Sequence, residues 1–399
     1  MLNEKTGLRE LAYIVKIDDI LPIQGSDNCE CAVVGGWHVM VRKGTFHIGD
    51  AAVYFEIDSK VDVTKPQFSF LAKYDGKVKS QKYTFGGKGN FLSQGLIMPL
   101  SDFGWTVENH PIKTFVTKEL DVTYYDPEDN LRKNGKSKEN KYAKMAARNP
   151  QLFKKPFIKW VMRREWGRKI LWLLFKNKNK GHDGFPTHFP YIRITDEERC
   201  ENCAWVLEDK TPMIVTEKLD GTSSTYILER KGKKKFEFYV LSRRVRQLTP
   251  DQKCYHDDNI YWNMAFKYNI EKHLREYLEQ NPSLDYVCIQ GESVGNVQGN
   301  PLKLKEDSLY CYNFIRSDCG RVDSLKGKEI VESWGMNWVP IINTAFILPD
   351  TMEELKSQAD GFSVLNPLVM REGLVYRKTA DNTFSFKNVS NKYLLSKGE

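Results

Sequence analysis

The chain has 399 residues, of which 41% are hydrophobic and 28% charged, a composition typical of a globular protein with two or three domains. It holds no run of 18 uncharged apolar residues and no signal-peptide core at its N-terminus, which argues against a membrane partner and predicts an intracellular protein, in cytoplasm or nucleus. The net charge of +8 is concentrated in residues 132–180, which hold 17 Lys and Arg against two Glu. Such a block is typical of a surface that binds a polyanion.

The first hundred residues show the pattern of a small β-domain. Glycine-containing turns separate five strand-like runs: 11–17, 31–34, 37–42, 51–57 and 91–100. Short strands at this spacing suit a small barrel, of which the OB-fold is the common nucleic-acid-binding version. A small barrel with another kind of ligand has the same pattern, so strand spacing alone leaves the ligand open. We assign residues 1–105 to an OB-like β-barrel.

Residues 106–183 are interpreted as a basic linker or helical insert. Between residues 157 and 175 apolar side chains recur among basic ones, which predicts a cationic amphipathic helix interrupted at Gly167. This helix suits packing between two domains, contact with RNA or DNA, or a position on a membrane surface. The sequence leaves these alternatives open.

Residues 184–399 mix strands and helices, so the fold class is predicted as α+β. Helical periodicity covers residues 260–278, and shorter helices are expected near 326–333 and 351–359. Strand-like runs are expected at 213–216, 223–228, 236–242, 286–291, 309–315, 373–377 and 383–389. The prediction is a C-terminal domain of antiparallel sheets and helices behind the barrel and the basic linker.

The segment around Lys218 carries the main candidate for chemistry. Two β-rich runs flank the sequence Lys218-x-Asp220-Gly221, which predicts a strand, a tight turn that Gly221 supplies, and a second strand. A lysine at this turn can contact a phosphate, or act as a nucleophile once its ammonium loses a proton. The pattern resembles the nucleophile motif of the covalent nucleotidyltransferases, which are the DNA ligases, RNA ligases and mRNA capping enzymes.

Five downstream stretches resemble, in order, the further motifs of those enzymes: 241–245, 288–301, 309–315, 371–377 and 384–389. The resemblance implies an ATP-grasp-like, ligase-type nucleotidyltransferase domain in which Lys218 attacks the α-phosphate of ATP. It implies that Asp220 shapes the turn and that Lys387 is the cation at the α-phosphate. Glu372 is expected to hold Mg²⁺ or Mn²⁺, and Glu292 to support the metal or hold the ribose.

Other residues are implied for the nucleotide. Arg243, or else Arg244, is expected to bind the sugar or an end phosphate. Tyr312 and Phe314 lie two residues apart on one strand and therefore on one face, so either is placed to stack on the base, with Tyr312 preferred. The remaining candidate cofactor-binding residues are Glu217, Gly221, Arg199 and Lys378. The cationic neighbourhood and the metal are expected to lower the pKa of Lys218 from about 10.4.

The order of the two domains narrows the resemblance. Capping enzymes and typical DNA ligases carry an OB domain after the last motif, whereas here the barrel comes first and ten residues follow Val389. That order, with likeness at 11–17, 35–37, 49–50, 55–58, 93–96, 195–199, 291–301 and 385–395, resembles the nick-sealing RNA ligases of the fifth RNA ligase family. The resemblance makes Arg199 the candidate for the γ-phosphate. The resemblance departs from the family pattern at Ser385, because relatives often have Lys-x-Lys in the last motif and Ser385 stands in place of the first lysine. Lys378 and Lys392 are the candidates to supply that second positive charge.

The implied function is an ATP-dependent RNA ligase that acts through a lysyl-AMP on Lys218. AMP would pass to a 5′-phosphate at a nick, and a 3′-OH would displace it to seal the strand. The expected partner is nicked duplex RNA or an RNA–DNA hybrid, bound by a monomer. The alternatives are a DNA ligase, a capping-type guanylyltransferase that uses GTP, and a non-catalytic nucleic-acid-binding protein.

Overall fold

The computed structural model describes residues 9–85, 89–125, 161, 164, 184–186, 192, 197–232, 235–243, 245–251, 259–379 and 384–397. The cationic helix predicted over 157–175 lies outside the described residues except at two positions, and Arg244 lies outside them as well. Among the helices that are described, none is long and apolar enough to cross a membrane.

The N-terminal domain is built from short antiparallel strands. They are β1 (Ala12–Lys16), β2 (Asp19–Pro22), β3 (Cys29–Val34), β4 (Trp37–Arg42), β5 (Ala51–Phe55), β6 (Ser59–Lys60), β7 (Ser80–Thr84), β8 (Asn90–Gln94), β9 (Leu96–Pro99) and β10 (Thr123–Tyr124). Three sheets, β1-β5-β9, β2-β3-β4 and β7-β8, make up most of the domain, and β4 contacts β8 and β9. The five predicted strands are confirmed, with the last divided at Gly95, where φ is +97°.

Strand β5 is buried on both faces because the barrel has a second layer outside it. On the inner face, Tyr54 packs with Trp37 in the barrel interior. On the outer face, Phe55 packs edge-on against Phe68 of the 3-10 helix Pro66–Tyr74. A strand covered on both sides keeps apolar residues at successive positions, as residues 51–55 do.

The barrel domain extends beyond the boundary predicted at residue 105. Val116, Leu120 and Val122 are buried in the outer core of the barrel. The Thr117 hydroxyl accepts a hydrogen bond of 2.9 Å from the amide of Leu11, before β1. Residues 106–125 therefore cover the outer face of the barrel, since that face would otherwise expose its apolar side chains.

The C-terminal domain holds two mostly antiparallel sheets. Their strands are β11 (Gly184–Pro186), β12 (Glu198–Arg199), β13 (Met213–Lys218), β14 (Thr222–Arg230), β15 (Phe236–Ser242), β16 (Val245–Gln247), β17 (Tyr286–Val294), β18 (Ser308–Arg316), β19 (Gly320–Arg321), β20 (Asn337–Trp338), β21 (Ile341–Phe346), β22 (Gly373–Lys378) and β23 (Ser385–Val389). The larger sheet has the order β11-β16-β15-β14-β17-β18-β19, with β20 beside β18. The smaller sheet has the order β12-β23-β22-β13-β21.

Five α-helices are described in this domain. They are α1 (Ile260–Lys267), α2 (Ile270–Gln280), α3 (Ser324–Ser333), α4 (Met352–Ser357) and α5 (Asn391–Lys397). The helix predicted over 260–278 is divided at Asn269, which has a left-handed backbone with φ of +48°. The helices predicted near 326–333 and 351–359 are confirmed as α3 and α4, and α5 was missed.

Among the described residues, the barrel packs against the C-terminal domain at two places. The Lys356 ammonium on α4 donates a 2.5 Å hydrogen bond to the carbonyl of Gly36 in the β3–β4 turn. On another face, Leu92 of β8 packs on the end of β23 and on α5. The Lys82 ammonium on β7 donates a 2.6 Å hydrogen bond to the carbonyl of Leu395 in α5. Helix α5 thus lies between the two domains.

Candidate active site

A cavity of about 320 Å³ opens between the two sheets of the C-terminal domain. It brings together nine of the residues predicted from sequence: Glu217, Lys218, Asp220, Gly221, Arg243, Glu292, Tyr312, Glu372 and Lys387. Arg199, Phe314 and Lys378 are not among its lining residues, whereas Glu197 and Arg377, which the sequence did not single out, are. The lining comes from segments up to 190 residues apart in the chain, from Glu197 to Lys387.

The segment after Lys218 carries the chain from one sheet to the other. Strand β13 pairs with β21 and β22, whereas β14 pairs with β15 and β17. The predicted turn is therefore a crossover between sheets and not a hairpin. Gly221 is required for close approach: a Cβ there would lie 2.9 Å from Val294 Cγ1 and in collision with the carbonyl of Ser293. Its backbone is not left-handed, so its role is to let β14 approach β17.

Lys218 ends β13 inside the cavity and pairs with Glu372, which immediately precedes β22. Its Nζ lies 2.5 Å from Glu372 Oε1, with 26% of the lysine side chain exposed. Burial alone would lower the pKa of Lys218, but the carboxylates of Glu372, Glu292 and Asp220 outweigh it, so the pKa lies above its ordinary value. The sequence predicts that neighbouring cations and the metal lower this pKa; in the protein by itself the carboxylates around the ammonium raise it.

Two further glutamates, Glu292 and Glu217, line the cavity, and both have a raised pKa. Burial raises the pKa of Glu292 to about 8, with Lys218 acting in the opposite direction and Glu372 in the same one. Burial also raises the pKa of Glu217, whose Oε2 accepts a 2.8 Å hydrogen bond from the amide of Val364. Glu217 thus fixes the loop before β22, whereas Glu292 lines the cavity with Lys218 and Glu372.

The raised pKa of Glu292 predicts a pH effect on stability. In the unfolded chain this carboxyl titrates near its ordinary value of 4.5, and in the folded protein near 8. Folding therefore favours the neutral form, and the stability it contributes is present below pH 4.5 and lost as pH rises through 8. Glu292→Gln should be more stable than the wild type at pH 9, with the difference shrinking toward pH 5. Urea unfolding with a chelator measures this, with Glu276→Gln on exposed α2 as the control; equal pH slopes would contradict it.

Arg377 is the buried cation that sequence reasoning missed. It is the second-last residue of β22, is 6% exposed, and donates from Nη1 to the Tyr312 carbonyl at 3.1 Å and to Ser324 Oγ at 2.6 Å. Its Nη2 donates to Asn313 Oδ1 at 2.8 Å, and its Nε is buried without a hydrogen-bond partner among the described residues. Burial, with Arg321 nearby, lowers its pKa to about 9. The two-residue period of the strand could have indicated Arg377, because it lies two positions after Val375, which also lines the cavity, and so shares its face of β22.

An arginine from another strand contacts the serine that stands at the first position of the last motif. Arg321 of β19 donates from Nη1 to Ser385 Oγ at 3.1 Å, and Ser385 pairs with Arg377 across β22 and β23. The two residues predicted to supply the second positive charge are directed elsewhere. Lys378 forms an ion pair with Asp209. Lys392 lies 2.9 Å from Asp360 and is largely exposed.

Only Tyr312 of the two aromatic candidates lies at the cavity. The pairing of β17 with β18 shifts between Gln290 and Gly291, which leaves Tyr312 as an extra residue in β18. After this bulge Phe314 faces the hydrophobic core, fully buried against Tyr277. The prediction that Phe314 shares the face of Tyr312 is therefore wrong, because an undetected bulge interrupts the two-residue period. The Tyr312 hydroxyl is 3.2 Å from Ser223 Oγ.

Arg199 lies near the cavity but turns toward the barrel. It is in register with Lys387 across the parallel pair β12–β23. Its guanidinium lies 5.8 Å from the centre of the Trp37 ring in the barrel. The proposed contact with the γ-phosphate would therefore require this side chain to leave the ring. Arg243, in contrast, lines the cavity directly.

The cavity fits a divalent metal held jointly with phosphate. Glu372 Oε2 is buried without a hydrogen-bond partner in the described part of the chain, beside Glu292. Among the described residues no three His, Cys, Asp or Glu side chains form a complete metal cage. Mg²⁺ usually takes one or two carboxylates and completes its shell with water and phosphate oxygens. The donor set matches that mode.

Comparison with known families identifies both domains. A family model described as RNA ligase matches residues 211–394, and one described as an OB-fold domain matches residues 11–100. Residues 211–394 form an RNA ligase domain. The chain is therefore an enzyme of the RNA ligase type with an OB-fold domain in front, which confirms the predicted α+β fold class. A search of curated proteins finds no match.

Solved structures of Naegleria gruberi RNA ligase are similar to the RNA ligase domain and the OB-fold domain together. An apo variant has 26% identity and a TM-score of 0.67, with 98% of this chain and 100% of that chain covered. A variant with ATP and Mn has 26% identity and a TM-score of 0.66, at 97% and 99% coverage. The same ligase with PPi has 26% identity and a TM-score of 0.65, at 98% and 99% coverage.

Proposed function

We propose that the protein is an ATP-dependent RNA ligase that seals nicks in duplex RNA, or in an RNA–DNA hybrid, through a lysyl-AMP on Lys218. The observation that carries the proposal is the cavity itself, where the Lys218 ammonium pairs with Glu372 and shares the lining with Glu292, Arg377 and Lys387. The similar Naegleria ligase was solved with ATP, AMP, PPi and Mn, which supports ATP and a divalent metal here.

In the first step Lys218 Nζ forms a bond to the α-phosphorus of ATP while the bond from that phosphorus to pyrophosphate breaks. Attack requires the neutral amine, and Glu372 Oε1, at 2.5 Å, is the contact able to accept its proton. Lys387 and Arg377 are placed to stabilise charge on the phosphate oxygens. A metal ion held by Glu372 and Glu292 would neutralise the carboxylates and favour the neutral amine.

The OB-fold domain is proposed to hold the RNA. Its surface carries a lysine beside an accessible aromatic ring: Lys73 lies 4.6 Å from the centre of the Tyr74 ring, and Tyr74 is 42% exposed. Phe70 nearby is 53% exposed. Aromatic rings stack on bases and lysines contact phosphates, so binding to RNA should weaken steeply with salt. The basic residues at 132–180 are proposed to add phosphate contacts, and the protein to act as a monomer.

Nucleotide transfer tests the proposal. Protein incubated with Mg²⁺ and α-labelled ATP or GTP, then run on a denaturing gel, should carry label from ATP. Label from GTP would replace the proposal with capping chemistry, and no label from either would favour a binding protein. Labelled protein supplied with a nicked RNA duplex should return AMP and seal the nick. Nicked DNA sealed at an equal rate would move the assignment to a DNA ligase.

A reciprocal exchange tests the cation at Ser385. Arg321→Ala should slow label transfer about tenfold, because a cation at a phosphate is lost. Adding Ser385→Lys to Arg321→Ala should restore much of the rate, since the new ammonium enters the same space from β23. Ser385→Lys alone should give no gain, because it repels Arg321 and Arg377. Arg275→Ala on exposed α2 is the control, and a double variant as slow as Arg321→Ala would contradict the assignment.

A further inference from the structure

The last helix of the described chain, α5, reaches the turn that carries the nucleophile. The Tyr393 hydroxyl donates a hydrogen bond to Asp220 Oδ2. The Lys397 ammonium donates to the same oxygen at 2.9 Å. Asp220 lies two residues after Lys218, in the crossover between the two sheets. Two donors from one helix thus hold one oxygen of the nucleophile's turn.

The spacing of Tyr393 and Lys397 along the helix lets both side chains reach the same oxygen of Asp220. Tyr393 and Lys397 are four residues apart and so lie on one face of α5. The Lys397 ammonium lies 5.3 Å from the centre of the Tyr393 ring, and only a third of the lysine side chain is exposed. Charge-assisted hydrogen bonds of this kind are stronger than neutral ones and depend on position.

The start of α5 is tied to the catalytic strands. The amide of Ser390 donates a 2.9 Å hydrogen bond to the carbonyl of Glu372. The Ser390 hydroxyl accepts a 3.2 Å hydrogen bond from the amide of Tyr393 and donates a 2.8 Å bond to Asp360. The helix is therefore anchored beside Glu372 at its start and on Asp220 through its side chains.

The barrel supplies the opposite support. Leu92 of β8 is buried against Val389 and Leu394, and Lys82 donates to the Leu395 carbonyl. A helix of seven residues has little stability by itself, so α5 depends on these contacts for its position. The OB-fold domain is thereby connected to the turn of Lys218 by a continuous set of contacts.

We propose that Tyr393 and Lys397 are positioning residues for the adenylation step, acting through Asp220, and that the OB-fold domain supports them through α5. This inference rests on the proposed function. Asp220 lies beside Lys218, so a change in the turn changes the approach of Nζ to the α-phosphate. Reaction rates are sensitive to such geometry even when substrate binding is preserved.

The effect should fall on the rate constant and not on ATP affinity. ATP would be held by the cations of β22 and β23 and by Tyr312, whereas the hydrogen bonds of Tyr393 and Lys397 go to Asp220. Tyr393→Phe should lower the single-turnover rate of label transfer at saturating ATP about tenfold, which corresponds to about 1.4 kcal/mol. The half-saturating ATP concentration should change less than about twofold. Lys397→Met should act in the same direction, and Lys397→Arg should restore most of the rate.

A double-mutant cycle separates action through Asp220 from a general loss of structure. Tyr393→Phe should have almost no further effect in an Asp220→Ala background, because its partner is already absent. Leu92→Ala should slow label transfer in wild type and less so in Tyr393→Phe. The controls are Lys392→Met, on the same helix and paired with Asp360, and Tyr268→Phe, whose hydroxyl accepts from Asn337.

The outcomes distinguish this inference from the function beneath it. Wild-type protein that takes no label from ATP overturns both. If wild-type protein takes label and Tyr393→Phe takes it equally fast, the inference alone is overturned. The inference alone is also overturned if the rate losses of Tyr393→Phe and Asp220→Ala multiply in the double variant, because the two residues would then act independently. A slow Tyr393→Phe whose thermal transition matches wild type, with coupling to Asp220, supports it.

Discussion

Lys218→Ala is expected to lose label transfer from α-labelled ATP by at least about 10³-fold, because Nζ is the atom that forms the bond to phosphorus. Lys218→Arg should lose as much, although it keeps a positive charge beside Glu372. A guanidinium stays protonated and is not a nucleophile at neutral pH. The pair of variants therefore separates the loss of the nucleophile from the loss of the ion pair.

A denaturing gel measures the transfer, and the thermal transition of each variant reports folding. Lys210→Ala is the matched control, since Lys210 lies outside the cavity and pairs with Asp350 at 2.8 Å. A nicked RNA duplex whose 5′ end already carries AMP should still be sealed by Lys218→Ala, because that step does not use Nζ as a nucleophile. Undiminished label on Lys218→Arg would refute the assignment of Lys218.

Only the order of the motifs along the chain could predict that these distant residues come together in one site. Lys218, Glu292, Glu372 and Lys387 are separated by long stretches, and no local period states that they meet. Lys218, Glu292 and Glu372 lie at or near the end of a strand, whereas Lys387 lies in the middle of β23. The resemblance to nucleotidyltransferase motifs supplied the long-range information, and the cavity confirms that these residues are neighbours.

The features that sequence reasoning missed depend on pairing between distant segments. The bulge at Tyr312 exists because β17 and β18 shift register, which the sequence of β18 alone does not show. Arg321 belongs to a strand of two residues, too short for any periodic signal. Helix α5 is also short, and its contacts with the barrel are more than 300 residues apart in the chain. Local patterns carry no record of such contacts.

The charge around Lys218 illustrates the same limit. The motif order drew attention to the cations and the metal that a nucleotide requires, and these together predicted a lowered pKa for Lys218. In the folded chain Glu372 is the nearest charged group and Asp220 and Glu292 reinforce it, so the pKa is raised. The site of the protein alone is therefore set to attract a metal ion and not to release the proton of Lys218. Activation of the amine would follow binding of metal and ATP, consistent with the proposed chemistry.

Arg377→Met is expected to reduce both stability and adenylation strongly. The side chain satisfies the Tyr312 carbonyl, Ser324 Oγ and Asn313 Oδ1, and methionine of similar length leaves all three acceptors without this donor. Each buried acceptor left unsatisfied costs about 1–3 kcal/mol. Removal of a buried charge offsets part of that cost. The free energy of unfolding should therefore fall by about 2–4 kcal/mol.

The loss of activity should exceed what instability explains. Arg377 lines the cavity and pairs with Ser385, so its removal takes away a cation that we propose contacts phosphate, as well as a hydrogen bond to the Tyr312 carbonyl. At a temperature where Arg377→Met remains folded, label transfer should fall about 100-fold. Arg377→Lys should recover part of the rate, since it restores the charge but cannot reach all three acceptors from one ammonium. Arg316→Met, which removes an exposed pair with Asp318, should leave the rate unchanged. If Arg377→Met is folded and transfers label at the wild-type rate, the role of Arg377 is only structural. Removal of a cation that binds phosphate should slow the step in which negative charge accumulates on the phosphate oxygens.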